Sequence, residues 1–173
     1  MNKKELKTLL RKDIKNKRKN YNLSKVNDIL VHNLKNTLEY KKSNNIMIYY
    51  PLKDEVNLLD LIKDNSKNFY LPKINNQNLL CCPYNKNDEL YESCYKTKEP
   101  KTNSIDKHLI DLIIIPALAV DKDNYRLGFG GGFYDRFLAN INAYKIVCIP
   151  KDFVLETIYP EKHDIKIDLI ITE

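Results

Sequence analysis

Apolar residues in the N-terminal part of the chain recur at the spacing of amphipathic helices. The first predicted helix carries Leu6, Leu9, Leu10 and Ile14. After the turn-like Asn20–Asn22, Ser24 is predicted to cap a second helix that carries Val26, Ile29, Leu30, Leu34 and Leu38. Because each helical residue turns by about 100°, Lys7 and Arg11 are predicted to lie side by side on one border of the first apolar stripe.

Shorter apolar runs predict the strands of a sheet, and several of them end at a proline. The runs are Ile46–Tyr50, Phe69–Leu71 (stopped by Pro72), Leu79–Cys82, Cys94–Tyr95, Leu112–Ile115, Lys145–Ile149 and Leu169–Ile171. The mostly β-branched run Leu112–Ile115 is typical of a central strand buried on both faces. Helices are predicted at Leu58–Lys63 and Phe133–Asn140. This alternation predicts an α/β fold in which helices cover a mostly parallel sheet.

Length and composition narrow the class of protein. The chain has 173 residues, of which 43% are hydrophobic, so we expect one packed domain over residues 1–173. Its most apolar stretch, Leu112–Val120, contains Pro116 and is far shorter than the ~20 residues of a membrane-spanning helix. The lysine-rich start lacks the apolar core of a secretory signal, and Glu5 and Asp13 are atypical of a transit peptide. We therefore expect a cytoplasmic protein without a membrane partner.

The net charge and the cysteine content say less about the class of protein. The net charge of +6 permits an anionic partner such as a nucleotide, folate or nucleic acid but does not choose among them. The lysine-rich surface can equally be a solvated face that reflects composition. The four cysteines form no paired CxxC motif that would hold zinc, so we expect reduced thiols.

The most specific signal is a glycine cluster. All four glycines of the chain lie in Gly128–Gly132, whereas an average protein of this length has about twelve. Glycine permits positive φ and lets a ligand approach the backbone, and consecutive N–H groups ahead of a helix bind anions. A tight structural turn is the alternative, but it needs only one or two glycines. The cluster predicts a phosphate-binding loop.

Known nucleotide motifs do not describe this loop. A Walker loop requires Lys-Ser/Thr after its last glycine, but Phe133 and Tyr134 follow Gly132. A GxGxxG motif that starts at Gly128 requires glycine where Phe133 stands, which also excludes the glycine-rich loop of protein kinases. The loop is of another type.

The segment from Asp111 to Asp121, followed by Arg126-Leu-Gly-Phe-Gly-Gly-Gly-Phe-Tyr-Asp-Arg-Phe-Leu138, resembles the signature of the 5-formyltetrahydrofolate cyclo-ligase family. The resemblance extends nearly over the whole chain, through Lys7-x-x-x-Arg11, Glu55, Glu99-Pro100 and the ending His163–Glu173. It implies a three-layer α/β/α domain with a mostly parallel central sheet. It also implies ATP-dependent conversion of 5-formyltetrahydrofolate to 5,10-methenyltetrahydrofolate, with ADP and phosphate released.

The resemblance also implies site residues. For ATP these are Lys7, Thr8, Leu9, Leu10, Arg11, Arg126, Leu127, Gly128, Phe129, Gly130, Gly131, Gly132, Phe133 and Tyr134, with Lys7 and Arg126 catalytic. For folate, which can carry a polyglutamate tail, they are Arg11, Tyr50, Glu55, Phe129, Gly130, Gly131, Gly132 and Phe133. Asp135 and Asp164 match the family's magnesium positions, which suits a cation that prefers one or two carboxylates plus phosphate oxygens. We expect a monomer that does not bind nucleic acid.

Plainer interpretations stay open for several of these residues. Lys7 and Arg11 can be solvated, Glu55 a surface acid, Asp135 a helix-start acid, and Phe129 and Phe133 core residues; His163 is interpreted as structural. Val154 stands where the family often has glutamine, so a contact from that side chain is in doubt. Rival functions are a basic RNA-binding module, whose motifs are missing, and another enzyme of similar fold such as a sugar-phosphate isomerase.

Overall fold

The computed structural model describes residues 1–173. Its helices are α1 (Lys3–Lys19), α2 (Ser24–Asn36), α3 (Leu38–Lys42) and α4 (Phe133–Leu138), with 3-10 turns at Leu59–Lys63, Lys107–Leu109 and Lys151–Phe153. Its strands are β1 (Asn45–Met47), β2 (Asn68–Asn75), β3 (Asn78–Pro83), β4 (Leu90–Glu92), β5 (Lys98–Pro100), β6 (Leu112–Ile114), β7 (Ala119–Asp121), β8 (Arg126–Leu127), β9 (Tyr144–Cys148), β10 (Val154–Leu155) and β11 (Leu169–Ile171). No helix is long and apolar enough to cross a membrane.

Six strands form the central sheet in the order β11-β9-β6-β1-β2-β3. All neighbouring pairs are parallel except β2 with β3, which are antiparallel. This arrangement confirms the predicted α/β class with a mostly parallel sheet. The strand β6 lies in the middle and is buried throughout, as its uninterrupted apolar run predicts.

Alternate residues of β6 point into two separate cores. Leu112 and Ile114 pack in the same cluster as α2 residues such as Leu30. Ile113 packs on the other face in a cluster that includes Ile14 of α1. Because successive strand residues point to opposite faces, the sheet is the middle of three layers. The three-layer α/β/α architecture is confirmed.

The inward face of α1 differs from the prediction. Leu9 is 54% exposed, whereas Lys7, Ile14 and Arg18 are the buried residues of the helix. Ile14 and Leu10 of the predicted stripe do pack against the core, but Leu9 faces solvent and the basic Lys7 and Arg18 are buried beside the stripe. Asn2 and Glu5 cap its N-terminus through reciprocal bonds of 2.9 Å.

Several predicted boundaries were wrong. Ser24 does not cap α2, since its hydroxyl bonds Asn22 instead and Leu23 occupies the cap position. Leu38 begins α3 and is exposed. Pro72 does not stop β2, because pairing with β1 ends at Tyr70 and the missing proline N–H then needs no partner on that side.

Other differences lie in short elements. Cys94–Tyr95 is a turn between β4 and β5, and the predicted helix at 133–140 ends at Leu138. The small sheet β10-β7-β8 was not predicted. Strands of two or three residues are too short to show a periodic pattern, so tertiary pairing alone defines them.

Candidate active site

A cleft of about 470 Å³ lies where the glycine cluster meets α1 and the loop after β1. Most of the predicted site residues line it: Lys7, Arg11, Tyr50, Glu55, Arg126, Gly128, Phe129, Gly130, Gly131, Gly132, Phe133, Tyr134, Asp135 and Asp164. These residues come from distant parts of the chain. The fold therefore brings basic, glycine and acidic groups into one concave site, as in a ligand pocket.

The glycine segment uses its conformational freedom at two positions. Gly130 has φ +108° and Gly132, the residue before α4, has φ +67°. A side chain at Gly128 would place its Cβ 2.7 Å from Nη1 of Arg126. The loop thus needs glycine both for its backbone shape and for the close approach of a buried arginine.

Arg126 holds the loop against the end of the central strand. Its guanidinium is buried, donates to the Pro116 carbonyl at 3.0 Å and to Oδ1 of Asp135 at 3.3 Å, and lies 5.5 Å from the centre of the Tyr134 ring. A buried guanidinium keeps its charge and presents a rigid fork of donors. The geometry suits a group that meets phosphate oxygens at the cleft wall.

Two basic residues enter the cleft from α1. Lys7 is 3% exposed and forms an ion pair with Asp164, while Oε2 of Glu161 lies 3.5 Å from its Nζ. Arg11 donates from Nε to the Gly128 carbonyl at 2.9 Å. Neither side chain is a solvated surface group. Arg11 anchors the glycine loop, and Lys7 is a buried cation paired with carboxylates.

Four positions implied for ATP do not line the cleft: Thr8, Leu9, Leu10 and Leu127. The Thr8 hydroxyl donates to the Lys4 carbonyl of its own helix at 2.9 Å, and Leu9 is exposed. Leu10 packs beside the core and Leu127 is fully buried. These four side chains are not among the proposed contacts, because α1 presents only its Lys7 and Arg11 edge to the cleft and Leu127 of β8 packs in the core.

The two carboxylates implied for magnesium both line the cleft. Asp135 is held by Arg126, and Asp164 by Lys7 and by the backbone N–H of Glu161 at 2.7 Å. No cluster of three or more His, Cys, Asp or Glu side chains is present that could hold a metal ion. Two carboxylates fit a Mg²⁺ ion that arrives on ATP and takes its other ligands from phosphate and water.

The opposite part of the cleft contains a buried acid and aromatic rings. Glu55 is 8% exposed, and its Oε2 accepts a 2.8 Å hydrogen bond from the backbone N–H of Leu52. Burial raises the pKa of Glu55, and the Leu52 N–H and nearby Arg18 partly oppose that rise. Glu55 is therefore no ordinary surface acid. It is a desolvated carboxyl group at the wall of a pocket, the setting in which functional acids are common.

The aromatic rings at this cleft differ in burial, because Phe133 and Tyr50 are half-buried and pack against the core whereas Phe129 is exposed. Phe129 is 38% exposed, with Nζ of Lys15 5.7 Å from its ring centre. Phe133 meets Tyr95 edge to face at a centroid distance of 5.5 Å. Tyr50 lies below Nζ of Lys98, 5.6 Å from its ring centre. Rings that line a cleft and keep part of their surface accessible suit a flat ligand.

The β4–β5 hairpin supplies lining residues that sequence analysis missed. Tyr95, Thr97 and Lys98 line the cleft, and the buried Glu99, which only the family resemblance pointed to, accepts from the Tyr91 hydroxyl at 2.8 Å. These strands are too short to carry a periodic signal. Glu161 and the exposed His163 also line the cleft beside Asp164. The sequence feature that could have pointed to them is the His163-Asp164 motif, which contains His163 and follows Glu161 by two residues.

Val154, which stands where the family often has glutamine, lies outside the cleft. Val154 lies in β10, is 36% exposed, and is not one of the residues that line the cleft. Its pairing with Val120 of β7 is through the backbone. A glutamine side chain at this position would therefore begin outside the pocket.

Comparisons with known proteins agree with this site. A family model described as the 5-formyltetrahydrofolate cyclo-ligase family matches residues 3–173. A 5-formyltetrahydrofolate cyclo-ligase of Mycoplasma pneumoniae is 33% identical over 129 residues, covering 74% of this chain and 72% of that protein. The mouse protein of the same name is 26% identical over 188 residues, covering 98% of this chain and 90% of that protein.

Solved structures show the same fold. The NMR structure of Aquifex aeolicus 5,10-methenyltetrahydrofolate synthetase matches with a TM-score of 0.87 and 30% identity, covering 96% of this chain and 89% of that one. A 5,10-methenyltetrahydrofolate synthetase from Mycoplasma pneumoniae matches with a TM-score of 0.77 and 25% identity, covering 99% and 98%. The match extends over almost every residue, so this chain belongs to the 5-formyltetrahydrofolate cyclo-ligase family.

Proposed function

We propose that this protein converts 5-formyltetrahydrofolate to 5,10-methenyltetrahydrofolate with consumption of ATP. The observation that carries the proposal is that one cleft joins a glycine loop flanked by buried cations to a buried carboxylate among aromatic rings. The first half suits the phosphates of a nucleotide and the second suits a pteridine. The proposed working form is a cytoplasmic monomer with one domain over residues 1–173.

The nucleotide lies, in this proposal, along the glycine loop. Backbone N–H groups of Gly128–Gly132 and the guanidinium of Arg126 contact its phosphates, with Lys7 approaching from α1. Arg11 keeps the loop in place through its bond to the Gly128 carbonyl. Phosphate oxygens then compete with Asp135 and Asp164 for Arg126 and Lys7. The two carboxylates thus hold both cations, before the nucleotide binds, close to the positions that its phosphates will take.

The proposed reaction needs charge stabilisation rather than a protein nucleophile. The formyl oxygen attacks the γ-phosphorus of ATP and ADP leaves, which yields an iminium phosphate. The second folate nitrogen then attacks the formyl carbon and loses its proton, and the carbon–oxygen bond breaks to release phosphate. Lys7 and Arg126 neutralise the charge that develops on the phosphoryl oxygens, and the cleft orients the two substrates.

Asp135 and Asp164 would hold Mg²⁺ that enters with ATP. When bound, the ion would neutralise phosphate charge and assist departure of the leaving group. The carboxylates meanwhile orient Arg126 and Lys7, their partners in the structure. We assign no other cofactor to the cleft.

Glu55 is the proposed folate anchor. A pteridine presents a ring N–H beside an exocyclic amine, and one carboxylate can accept from both. We expect Glu55→Gln to weaken 5-formyltetrahydrofolate binding by about tenfold or more, since a charged acceptor is replaced by a mixed donor and acceptor, while ATP binding is spared. Calorimetric titration with each ligand checks this. Equal losses for both ligands would indicate general damage instead.

The raised pKa of Glu55 adds a pH test. The ionised carboxylate accepts both pteridine donors, so folate affinity should fall as the pH decreases through that raised pKa. In Glu55→Gln this part of the pH dependence should vanish. Folate titrations of both proteins across the acidic range would show it, and identical profiles would contradict the role of Glu55.

The left-handed residue before α4 tests the phosphate loop. Gly132→Ala adds a Cβ that would lie 2.7 Å from Nη1 of Arg136, in a left-handed backbone conformation that costs alanine about 1–2 kcal/mol. We expect ATP affinity to fall by about tenfold, because the N–H groups ahead of α4 lose their arrangement. Asn124→Ala, at φ +65° outside the cleft, is the matched control for backbone strain alone. Similar ATP affinity in the two folded variants would argue against a phosphate loop.

The direct test of the function is the reaction itself. Folded protein with magnesium, ATP and 5-formyltetrahydrofolate should produce the near-ultraviolet absorption of the methenyl product. Omission of ATP should prevent it. No product from folded protein would refute the proposed function, whereas product formed equally well without ATP would refute the nucleotide dependence alone.

A further inference from the structure

Arg18 is a buried arginine that belongs to none of the roles described above. It lies near the end of α1 and is 4% exposed. Its Nε donates to the Asp54 carbonyl at 3.0 Å, and its Nη1 donates to the carbonyls of Ala117 and Leu118 at 3.0 and 2.8 Å. The guanidinium also lies 4.8 Å from the ring centre of Phe153. All its hydrogen bonds therefore go to the backbone of other segments.

The first of these segments carries Glu55. Residues 52–55 form a closed turn, in which the Glu55 N–H donates to the Leu52 carbonyl at 3.0 Å and the Glu55 side chain accepts from the Leu52 N–H. The hydrogen bond from Arg18 to Asp54 is the one that ties this turn to another element. The turn that carries the Glu55 carboxylate is thus tied to α1 by Arg18, while Val56, the next residue, is held by the Tyr49 hydroxyl, which donates to its carbonyl at 2.9 Å.

The second segment leads to the glycine loop. Ala117 and Leu118 follow Pro116, whose carbonyl accepts from Arg126 at 3.0 Å. The Arg18 guanidinium therefore touches both the support of Glu55 and the support of Arg126. Since α1 also carries Lys7 and Arg11, one helix connects both ends of the cleft.

A merely space-filling residue would not be a buried arginine. Burial lowers the pKa of Arg18, whereas the nearby Tyr49, Glu55 and Asp54 oppose that change. Removing a charge from water is costly unless hydrogen bonds compensate it, so an apolar side chain would fill the same space more cheaply. Only the planar guanidinium can donate in several fixed directions at once. The arrangement thus favours a geometric role.

We infer that Arg18 is a positioning residue for folate: it sets the place of the Glu55 carboxylate relative to the glycine loop. The inference rests on the proposed role of Glu55 in folate binding. Arg18 does not line the cleft, and it reaches Glu55 through the turn at 52–55. The segment of Ala117 and Leu118 has a second anchor, because the Leu118 N–H donates to the Leu127 carbonyl at 2.8 Å. Loss of the Arg18 guanidinium should therefore weaken folate binding selectively, and only in a protein that still has Glu55.

The test is a double-mutant cycle in the full chain with Arg18→Lys and Glu55→Gln. Lysine keeps the charge but cannot donate to both segments in the same geometry. We expect Arg18→Lys to weaken 5-formyltetrahydrofolate binding by about tenfold and ATP binding by less than about twofold, as measured by calorimetry. In the Glu55→Gln background it should add less than about twofold. Lys17→Met, at the neighbouring exposed position, is the matched control and should change neither affinity.

The outcomes separate the inference from the function beneath it. If Glu55→Gln itself leaves folate binding unchanged, the proposed folate contact falls and the inference with it. If Glu55→Gln weakens binding but Arg18→Lys does not, or the two effects are additive, the inference alone is overturned. Equal losses of folate and ATP affinity would show a purely structural role. Should Arg18→Lys not fold, Phe153→Leu removes the ring that orients the guanidinium and must give the same selective loss.

Discussion

Replacing Lys7 by methionine should lower turnover by about two to three orders of magnitude, because a cation aimed at the phosphoryl oxygens is lost from a desolvated site. It should also lower the free energy of unfolding by about 3–5 kcal/mol, since a nearly buried Asp164 loses its partner. Steady-state rates measured at a temperature where the variant is folded, together with denaturant unfolding, separate the two effects.

Lys17→Met is the matched control on the same helix. Its ion pair with Asp13 is 2.8 Å long but both side chains are more than half exposed. Such a pair contributes about 1 kcal/mol at most, so stability and turnover should stay near those of the parent protein. A fully folded Lys7→Met protein with normal turnover would remove Lys7 from the proposed mechanism and leave it a stabilising residue.

Neutralising the two magnesium candidates should have the next largest effect. We expect Asp135→Asn and Asp164→Asn each to reduce turnover by about two orders of magnitude, because charge stabilisation by the ion is weakened. Added magnesium should recover part of the loss, since weaker affinity is offset by mass action. If both carboxylates serve one ion, the double variant should be much less than additive. A magnesium titration of turnover in each protein measures the loss of turnover, its recovery by magnesium and the non-additivity of the double variant.

The structure also supports a role for these two acids other than binding of magnesium. Asp135 accepts from Arg126, and Asp164 pairs with Lys7, so each can act by orienting a cation. In that case magnesium would rescue nothing and the titration midpoints would match the parent protein. Asp13→Asn, at an exposed acid of α1, is the control for loss of a negative charge and should leave turnover unchanged.

The predictions that held concern features visible in a short window of sequence. The run Leu112–Ile115 predicts a central strand because only a strand covered on both faces can bury every side chain, and Leu112–Ile114 is that strand. The prediction of a strand at Cys94–Tyr95 was wrong, because two apolar residues show no period and the segment turns between β4 and β5. The length and partner of so short an element depend on distant pairing.

The sequence by itself determined the class of fold, the family and the glycine loop, since apolar runs and clustered glycines are local properties. Only the tertiary structure decided which basic residues are buried and what they meet. Lys7 pairs with Asp164, 157 positions away, and Arg18 reaches Leu118, 100 positions away. A lysine or arginine on an amphipathic helix has the same local pattern whether it faces water or a buried acceptor. Its partner comes from another part of the chain, so the role of the side chain emerges only when folding removes both from water.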